Sequence, residues 1–291
     1  MNTKKILIII QAIFSDLCRS IMYSNWLALP FLGMIQGFTE VFPISSSAHL
    51  ILYGQVLGYE ITFGKILFLH LATFLGILIY YRKDVAKILT GKYGNKMILF
   101  ILISFTATAI VGLLLENAIV RLVDRPPQVS QLLIINGFVL AAASLIPTSG
   151  TRTISNLSLY DFIFIGLLQG LAGFPGISRL GLTLIGCSLR KMKWSEAVRL
   201  SFILSLPTIL AANLYRALES FEVSSGNWYS FPVEVEHYLL NLVSFGITFG
   251  TCLLGIYLLT RTIYLGRRLL TFFGIYCAIT GFFFWHYLGL I

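Results

Sequence analysis

Charge is what this chain has least of. Only 11% of its 291 residues are charged against 57% hydrophobic, and the mean hydropathy is +0.86. A soluble globule cannot hide that much apolar surface, so composition excludes one. No segment is polar enough to form a separate soluble domain. Cysteine is scarce and unpaired in spacing: Cys18, Cys187, Cys252 and Cys277 offer neither a disulfide framework nor a thiolate metal site. They read as small packing residues. Acidic residues are outnumbered 12 to 21, for a net charge of +9. The basic residues fall mostly in short loops between apolar runs, so they read as a topology signal and nucleic acid is not an expected partner.

What is present is a series of long uncharged apolar runs, for example 97–115, 132–146, 238–260 and 269–291. Runs of this kind predict an all-α polytopic membrane protein, a single integral membrane domain over residues 1–291. At the N-terminus, Lys4-Lys5 and the apolar stretch Ile6 to Phe14 resemble a signal sequence, but no small-residue cleavage site follows. Asp16 and Leu17 also argue against a lipoprotein signal at Cys18. Met22 is an alternative start, with residues 1–21 then dispensable, and residues 1–25 as a whole are read as an N-terminal extension before the first repeat.

One segment occurs twice. Residues 31–45 read F-L-G-M-I-Q-G-F-T-E-V-F-P-I-S and residues 164–178 read F-I-G-L-L-Q-G-L-A-G-F-P-G-I-S, with Gly33/Gly166, Gln36/Gln169, Gly37/Gly170 and Ser45/Ser178 coinciding. The copies then diverge, into Ser46-Ser47-Ala48-His49 in one and Arg179-Leu180-Gly181 in the other. Repeats that diverge at one shared point suggest two halves meeting there to build one site.

Loop charge sets the expected topology. The segment 82–96 carries Arg82, Lys83, Lys87, Lys92 and Lys96 against Asp84, and is assigned to the cytoplasm. The segment 217–236 has four Glu and no Lys or Arg, and is assigned outside. Arg190-Lys191-Met192-Lys193 and Arg261, Arg267 and Arg268 again read as cytoplasmic. Three spans (about 61–81, 97–115 and 132–146) then separate the motifs, and three more (about 195–216, 238–260 and 269–291) follow. An odd number of crossings predicts two inverted-topology repeats, 26–146 and 160–291. Each is a re-entrant helix hairpin plus three transmembrane helices, with the hairpin tips meeting near the midplane.

Those tips carry the candidate chemistry. Gln36 and Glu40 share a helix face, and a carboxylate at membrane depth costs about 2.5–3.5 kcal/mol unless a cation or water meets it. A protonated, hydrogen-bonded Glu is the bland alternative. Ser45 and Ser178 sit where helices begin and are candidate N-caps. Two helix N-termini aimed at one spot, with Arg179 beside them, suit an anion and above all a phosphate. His49, one turn beyond Ser45, is placed to act as nucleophile, acid or base from the same face.

With these residues in view, the chain resembles the undecaprenyl-diphosphatase (bacitracin-resistance) family of bacterial membrane enzymes. Gln36 to Glu40, followed by Pro43-Ile44-Ser45-Ser46-Ser47-Ala48-His49, is similar to its first motif. Pro175-Gly176-Ile177-Ser178-Arg179-Leu180-Gly181-Leu182-Thr183 is similar to its second, P-G-x-S-R-S-x-x-T. The resemblance runs from about residue 27 to the end. It implies removal of the terminal phosphate of undecaprenyl diphosphate, a polyprenyl diphosphate lipid, at the outer face of the inner membrane. Recycling of the lipid carrier for peptidoglycan synthesis follows from that. It also implies a divalent cation, Mg²⁺ or Ca²⁺, held by Glu40 and Gln36. Ser46 or His49 is the implied nucleophile, and Arg179 the diphosphate ligand with Ser45, Ser178 and Thr183 in support.

Departures from the family pattern are Leu180 for Ser, Ala48 for Gly, and His70 where Gln is frequent. Membrane lipids and a second copy of the chain are the remaining partners considered. A transporter or flippase of a polyprenyl phosphate or other anionic lipid is the rival reading. The other large class of membrane lipid phosphatases needs a His six residues beyond the Arg, where this chain has Ile185.

Overall fold

The computed structural model describes residues 25–146, 150–223, 235–262, 265–266 and 268–289. The alternative start and residues 1–24 lie outside the described residues, as do Arg267 and 224–234 of the acidic segment. Among the described residues there is no strand, only an isolated bridge between Arg152 and Met192. Eleven α-helices follow one another among the described residues: α1 (Asn25–Glu40), α2 (Ser46–Leu57), α3 (Phe63–Tyr80), α4 (Arg82–Leu89), α5 (Met97–Val123) and α6 (Pro126–Ser144). They continue with α7 (Leu159–Leu171), α8 (Arg179–Leu189), α9 (Trp194–Val223), α10 (Val235–Arg261) and α11 (Arg268–Leu288).

Five of them are long and apolar enough to cross a bilayer: α5, α6, α9, α10 and α11. A sixth results if α3 and α4, bent by 72° at Tyr81, are counted together. The chain is a multi-pass membrane protein. Every expected span coincides with a helix, but three boundaries move, α9 running on past residue 216 to Val223. The run 97–115 continues to Val123, because Glu116 and Arg121 sit near a helix end where charge is tolerated. The run 132–146 begins earlier, at Pro126-Pro127, since proline is favoured in the first turn of a helix.

Several of the other helices are too short to span on their own. With 12, 13 and 11 residues, α2, α7 and α8 rise about 16–20 Å, well under the roughly 30 Å of hydrocarbon. Each neighbouring pair, α1–α2 and α7–α8, is interrupted by a proline-bearing break, at Pro43 and at Pro175-Gly176.

Small residues let these hairpins dock. On α1, Gly33 lies so close to α10 that a Cβ there would sit 2.6 Å from Thr248 Oγ1 and 2.8 Å from the Ser244 carbonyl. On α7, Gly166 is pressed against Ser104 of α5 in the same way, and Gly170 against Val111 and the Thr108 carbonyl. The two docking surfaces share a pattern, Ser104-Phe105-x-x-Thr108 and Ser244-Phe245-x-x-Thr248. A third contact is reciprocal within itself. A Cβ on Gly137 of α6 would lie 2.6 Å from the Gly274 carbonyl on α11, and one on Gly274 would lie 2.7 Å from the Gly137 carbonyl. Close backbone approach at small residues is how apolar helices associate where lipid removes the hydrophobic driving force. Cys187, Cys252 and Cys277 are buried in this packing as free thiols.

Candidate functional site

Glu40 closes α1, where the turn Val41–Ile44 and Pro43 stop the helix. It is buried, and both of its oxygens are occupied. Oε1 pairs with the Arg179 guanidinium in a direct ion pair. Oε2 accepts from Ser46 Oγ at 2.6 Å and from Gln36 Nε2 at 3.1 Å, and lies 3.2 Å from His70 Nε2. The cost of burying one carboxylate is thus met by a guanidinium, a hydroxyl and an amide. Arg179 opens α8, where its charge opposes the helix dipole. Its second arm donates to the Ser205 carbonyl at 3.3 Å.

The two hairpin tips touch. The Gly176 N–H donates to Ser45 Oγ at 3.0 Å, across the junction between them. Asn136 of α6 holds both tips: its Oδ1 accepts from the Ser178 N–H at 3.0 Å, and its Nδ2 donates to the Pro43 carbonyl at 3.4 Å. Gly176 adopts φ 114, and a Cβ there would meet Leu132 Cβ at 2.5 Å, so this position needs glycine on two counts. Between the tips lies a cavity of about 190 Å³ whose polar lining is Thr39, Glu40, Ser45, Ser46, Ser47, His70, Ser178, Arg179 and Thr208.

The sequence candidates fare differently. Glu40, Ser46 and Arg179 are brought together, with Gln36 bonded to Glu40 from one turn behind. Ser178 caps α8 as expected, its Oγ accepting from the Gly181 N–H at 3.1 Å. Ser45 occupies the cap position of α2 but makes no capping bond. With φ at 65 its side chain turns to the other hairpin instead.

His49 does not reach the cavity. Its Nδ1 donates to the Ser45 carbonyl at 2.8 Å, its Nε2 meets Tyr276 Oη at 2.9 Å, and the two rings stack at 5.6 Å. A carbonyl only accepts, so Nδ1 must carry the proton. Thr183 is fully buried and spends its hydroxyl on the carbonyls of Arg179 and Leu180. His70, by contrast, lines the cavity: its Nδ1 donates to the Ile66 carbonyl at 2.7 Å and its Nε2 lies 3.5 Å from Ser46 Oγ. Asn136 was missed from sequence, although a lone Asn inside an apolar run was a signal of it.

Among the described residues no three His, Cys, Asp or Glu side chains gather into a ready-made metal cage. Hard divalent cations that act on phosphates commonly take one or two carboxylates and fill their other positions with phosphate oxygens and water. Glu40 and Ser46 Oγ suit that pattern. So does Gln36 Oε1, which is buried without a hydrogen-bond partner.

These features define a class: a multi-pass membrane protein with a carboxylate, a hydroxyl and a guanidinium converging where two broken helices meet. Residues 29–283 match the family model for bacitracin resistance protein BacA, and the chain belongs to that family. It is 34% identical over 259 residues to undecaprenyl-diphosphatase 2 of Halalkalibacterium halodurans, covering 84% of this chain and 90% of the relative. It is also 34% identical over 262 residues to the undecaprenyl-diphosphatase of Thermosipho africanus (87% and 97% covered). The Methanococcus vannielii undecaprenyl-diphosphatase is 32% identical over 258 residues (87% and 96%).

Proposed function

We propose that this protein is a membrane phosphatase that hydrolyses undecaprenyl diphosphate to undecaprenyl phosphate and inorganic phosphate. The observation that carries this reading is the Ser46–Glu40–Arg179 cluster at the junction of the hairpin tips. Phosphoryl transfer depends on positioning and charge neutralisation, and a guanidinium beside a hydroxyl–carboxylate pair supplies both.

Ser46 is the nucleophile in this account. When the diphosphate enters, Arg179 turns from Glu40 to the phosphate oxygens, which leaves Glu40 free to act as base. Ser46 Oγ attacks the terminal phosphorus and its proton passes to Glu40. The bond from that phosphorus to the bridging oxygen breaks, and undecaprenyl phosphate leaves, taking the proton. Water then attacks the phosphoserine, losing a proton to Glu40, which returns it to Ser46 Oγ as inorganic phosphate departs. A divalent cation, Mg²⁺ or Ca²⁺, bound by Glu40 and Gln36 Oε1 would neutralise phosphate charge. His49 acts from behind, holding the Ser45 carbonyl and so the start of α2. Ser45 and Ser178 keep the tips in register, and Thr183 fixes the first turn of α8.

The site sits within two inverted repeats forming one domain, 26–146 and 160–291. Two features support the inversion. The first hairpin docks on α10 and the second on α5, the corresponding helices of the opposite repeats. The α6–α11 contact is reciprocal at Gly137 and Gly274. The basic segment 82–96, read as cytoplasmic, supports a protein of the inner membrane with its site open to the outer face, where it would recycle the lipid carrier for peptidoglycan synthesis.

Transport of an anionic lipid is the weaker reading, since binding an anion gains nothing from the Glu40–Ser46 pair. The test is phosphate release from undecaprenyl diphosphate by the purified protein, with and without chelator. Release that chelator stops supports the proposal. No release, with labelled lipid moved across vesicles instead, overturns it.

A further inference from the structure

Beside the polar cavity lies a second one of about 380 Å³, between α5 and α9. The two share Ala172, Gly173, Arg179, Thr208 and Ala212, so they adjoin, with Arg179 bordering both. The chemistry changes across that border. On the Glu40 side the walls are hydroxyls, imidazole and carboxylate; on the other side they are mainly aliphatic and small, including Ala109, Gly112 and Ala211. A Cβ added at Gly112 would meet nothing within 4 Å, so the wall there faces open space. Leu113, which also lines the space, is 58% exposed, so the groove opens sideways onto the apolar outer face of α5. At one end Tyr215 Oη donates to Glu116 Oε2 at 3.2 Å, joining α9 to α5.

We infer that this groove receives the first isoprene units of the substrate lipid, which enters from the bilayer between α5 and α9. The inference rests on the reading of the polar cavity as a polyprenyl diphosphate site and adds where the tail lies. A diphosphate held at Arg179 leaves its ester oxygen at the boundary between the two spaces. The apolar space, which borders that point at Arg179 and opens to lipid, takes the chain that follows. Small residues on both walls leave the width that a methyl-branched chain needs. A bulky residue at Gly112, where a Cβ meets nothing within 4 Å, would take that width.

Two measurements test this. First, a C55 polyprenyl phosphate carrying a diazirine near its phosphate end is photolysed with the full wild-type protein in nanodiscs. Labels within 105–120 of α5 and 208–215 of α9 support the groove; labels confined to other helices overturn it. Second, Gly112→Leu and Ala109→Leu are compared with wild type for their preference for undecaprenyl diphosphate over isopentenyl diphosphate, measured as the ratio of kcat/KM. The groove predicts that this preference falls by about tenfold or more, since each displaced methylene of tail loses burial. An unchanged ratio in both variants overturns it. Should the wild type release no phosphate from either substrate, the phosphatase reading fails, and the labelling pattern still decides whether the groove holds a polyprenyl chain.

Discussion

Arg179 and Glu40 neutralise one another while no phosphate is present, and that mutual dependence makes both sensitive to substitution. Arg179→Ala is expected to lower kcat/KM for undecaprenyl diphosphate by about 10²-fold or more, as removal of one transition-state charge donor does. It also leaves Glu40 buried without its main partner, a change that costs about 3–5 kcal/mol in a buried pair. Thermal unfolding in detergent should therefore shift down as well. Ser46→Ala and His49→Gln separate two roles. The first is expected to abolish phosphate release. The second, which keeps a polar group against Ser45 and Tyr276, should retain turnover within about tenfold, because a residue acting through positioning loses less than one that touches the reacting atoms. Equal losses in the two variants would remove Ser46 from the nucleophile role.

At this scale the sequence was partly legible. A Glu four residues after a Gln, a Ser run after a Pro, and an Arg at a helix start are unusual inside apolar runs, so Glu40, Ser46 and Arg179 stood out. The direction of a side chain on a helix was not legible. His49 follows Ser46 by three residues and reads as a neighbour, yet Tyr276, 227 residues away, takes its outer nitrogen. His70 reached the site from a different helix, so its proximity to Ser46 could not be read from spacing.

Among the elements, the hairpins depend on glycine where they dock and where they turn. Gly37 faces α10 so closely that a Cβ would lie 2.5 Å from the Thr248 carbonyl, against backbone that cannot move aside. Gly37→Leu should push α1 off α10 and displace Glu40 with it. The expected result is lower thermal stability together with lost turnover. Gly112→Leu, on a glycine facing open space, should leave thermal stability near that of wild type, which makes it the control for the effect of side-chain size alone. The helical runs and both breaks were visible in hydropathy and in the prolines. The Ser-Phe-x-x-Thr pattern at 104 and 244 was equally present, but five residues in apolar context carry little signal until the docking glycines show what they meet.

For the whole molecule, the proposed arrangement is of two hairpins from inverted repeats that build one site. Cysteine labelling tests the orientation. In a variant lacking the native cysteines, Lys92→Cys should react only after the cytoplasmic face is opened to reagent, whereas Asp124→Cys, at the far end of α5, should react from outside. Reaction of both from one side would contradict the arrangement. The membrane class and family were legible from composition and two motifs. The closed contact between the tips was not, because Asn136 and Ser45 make it through bonds between segments about 40 to 130 residues apart.

The most direct measurement of the central claim is a double-mutant cycle on phosphate release from undecaprenyl diphosphate, using Glu40→Ala, Arg179→Ala and both together. If the two residues act on one diphosphate, each single variant loses about 10²-fold or more, and the double variant loses little beyond the worse single. Losses that multiply as for independent sites, or near wild-type turnover in either single variant, would contradict it.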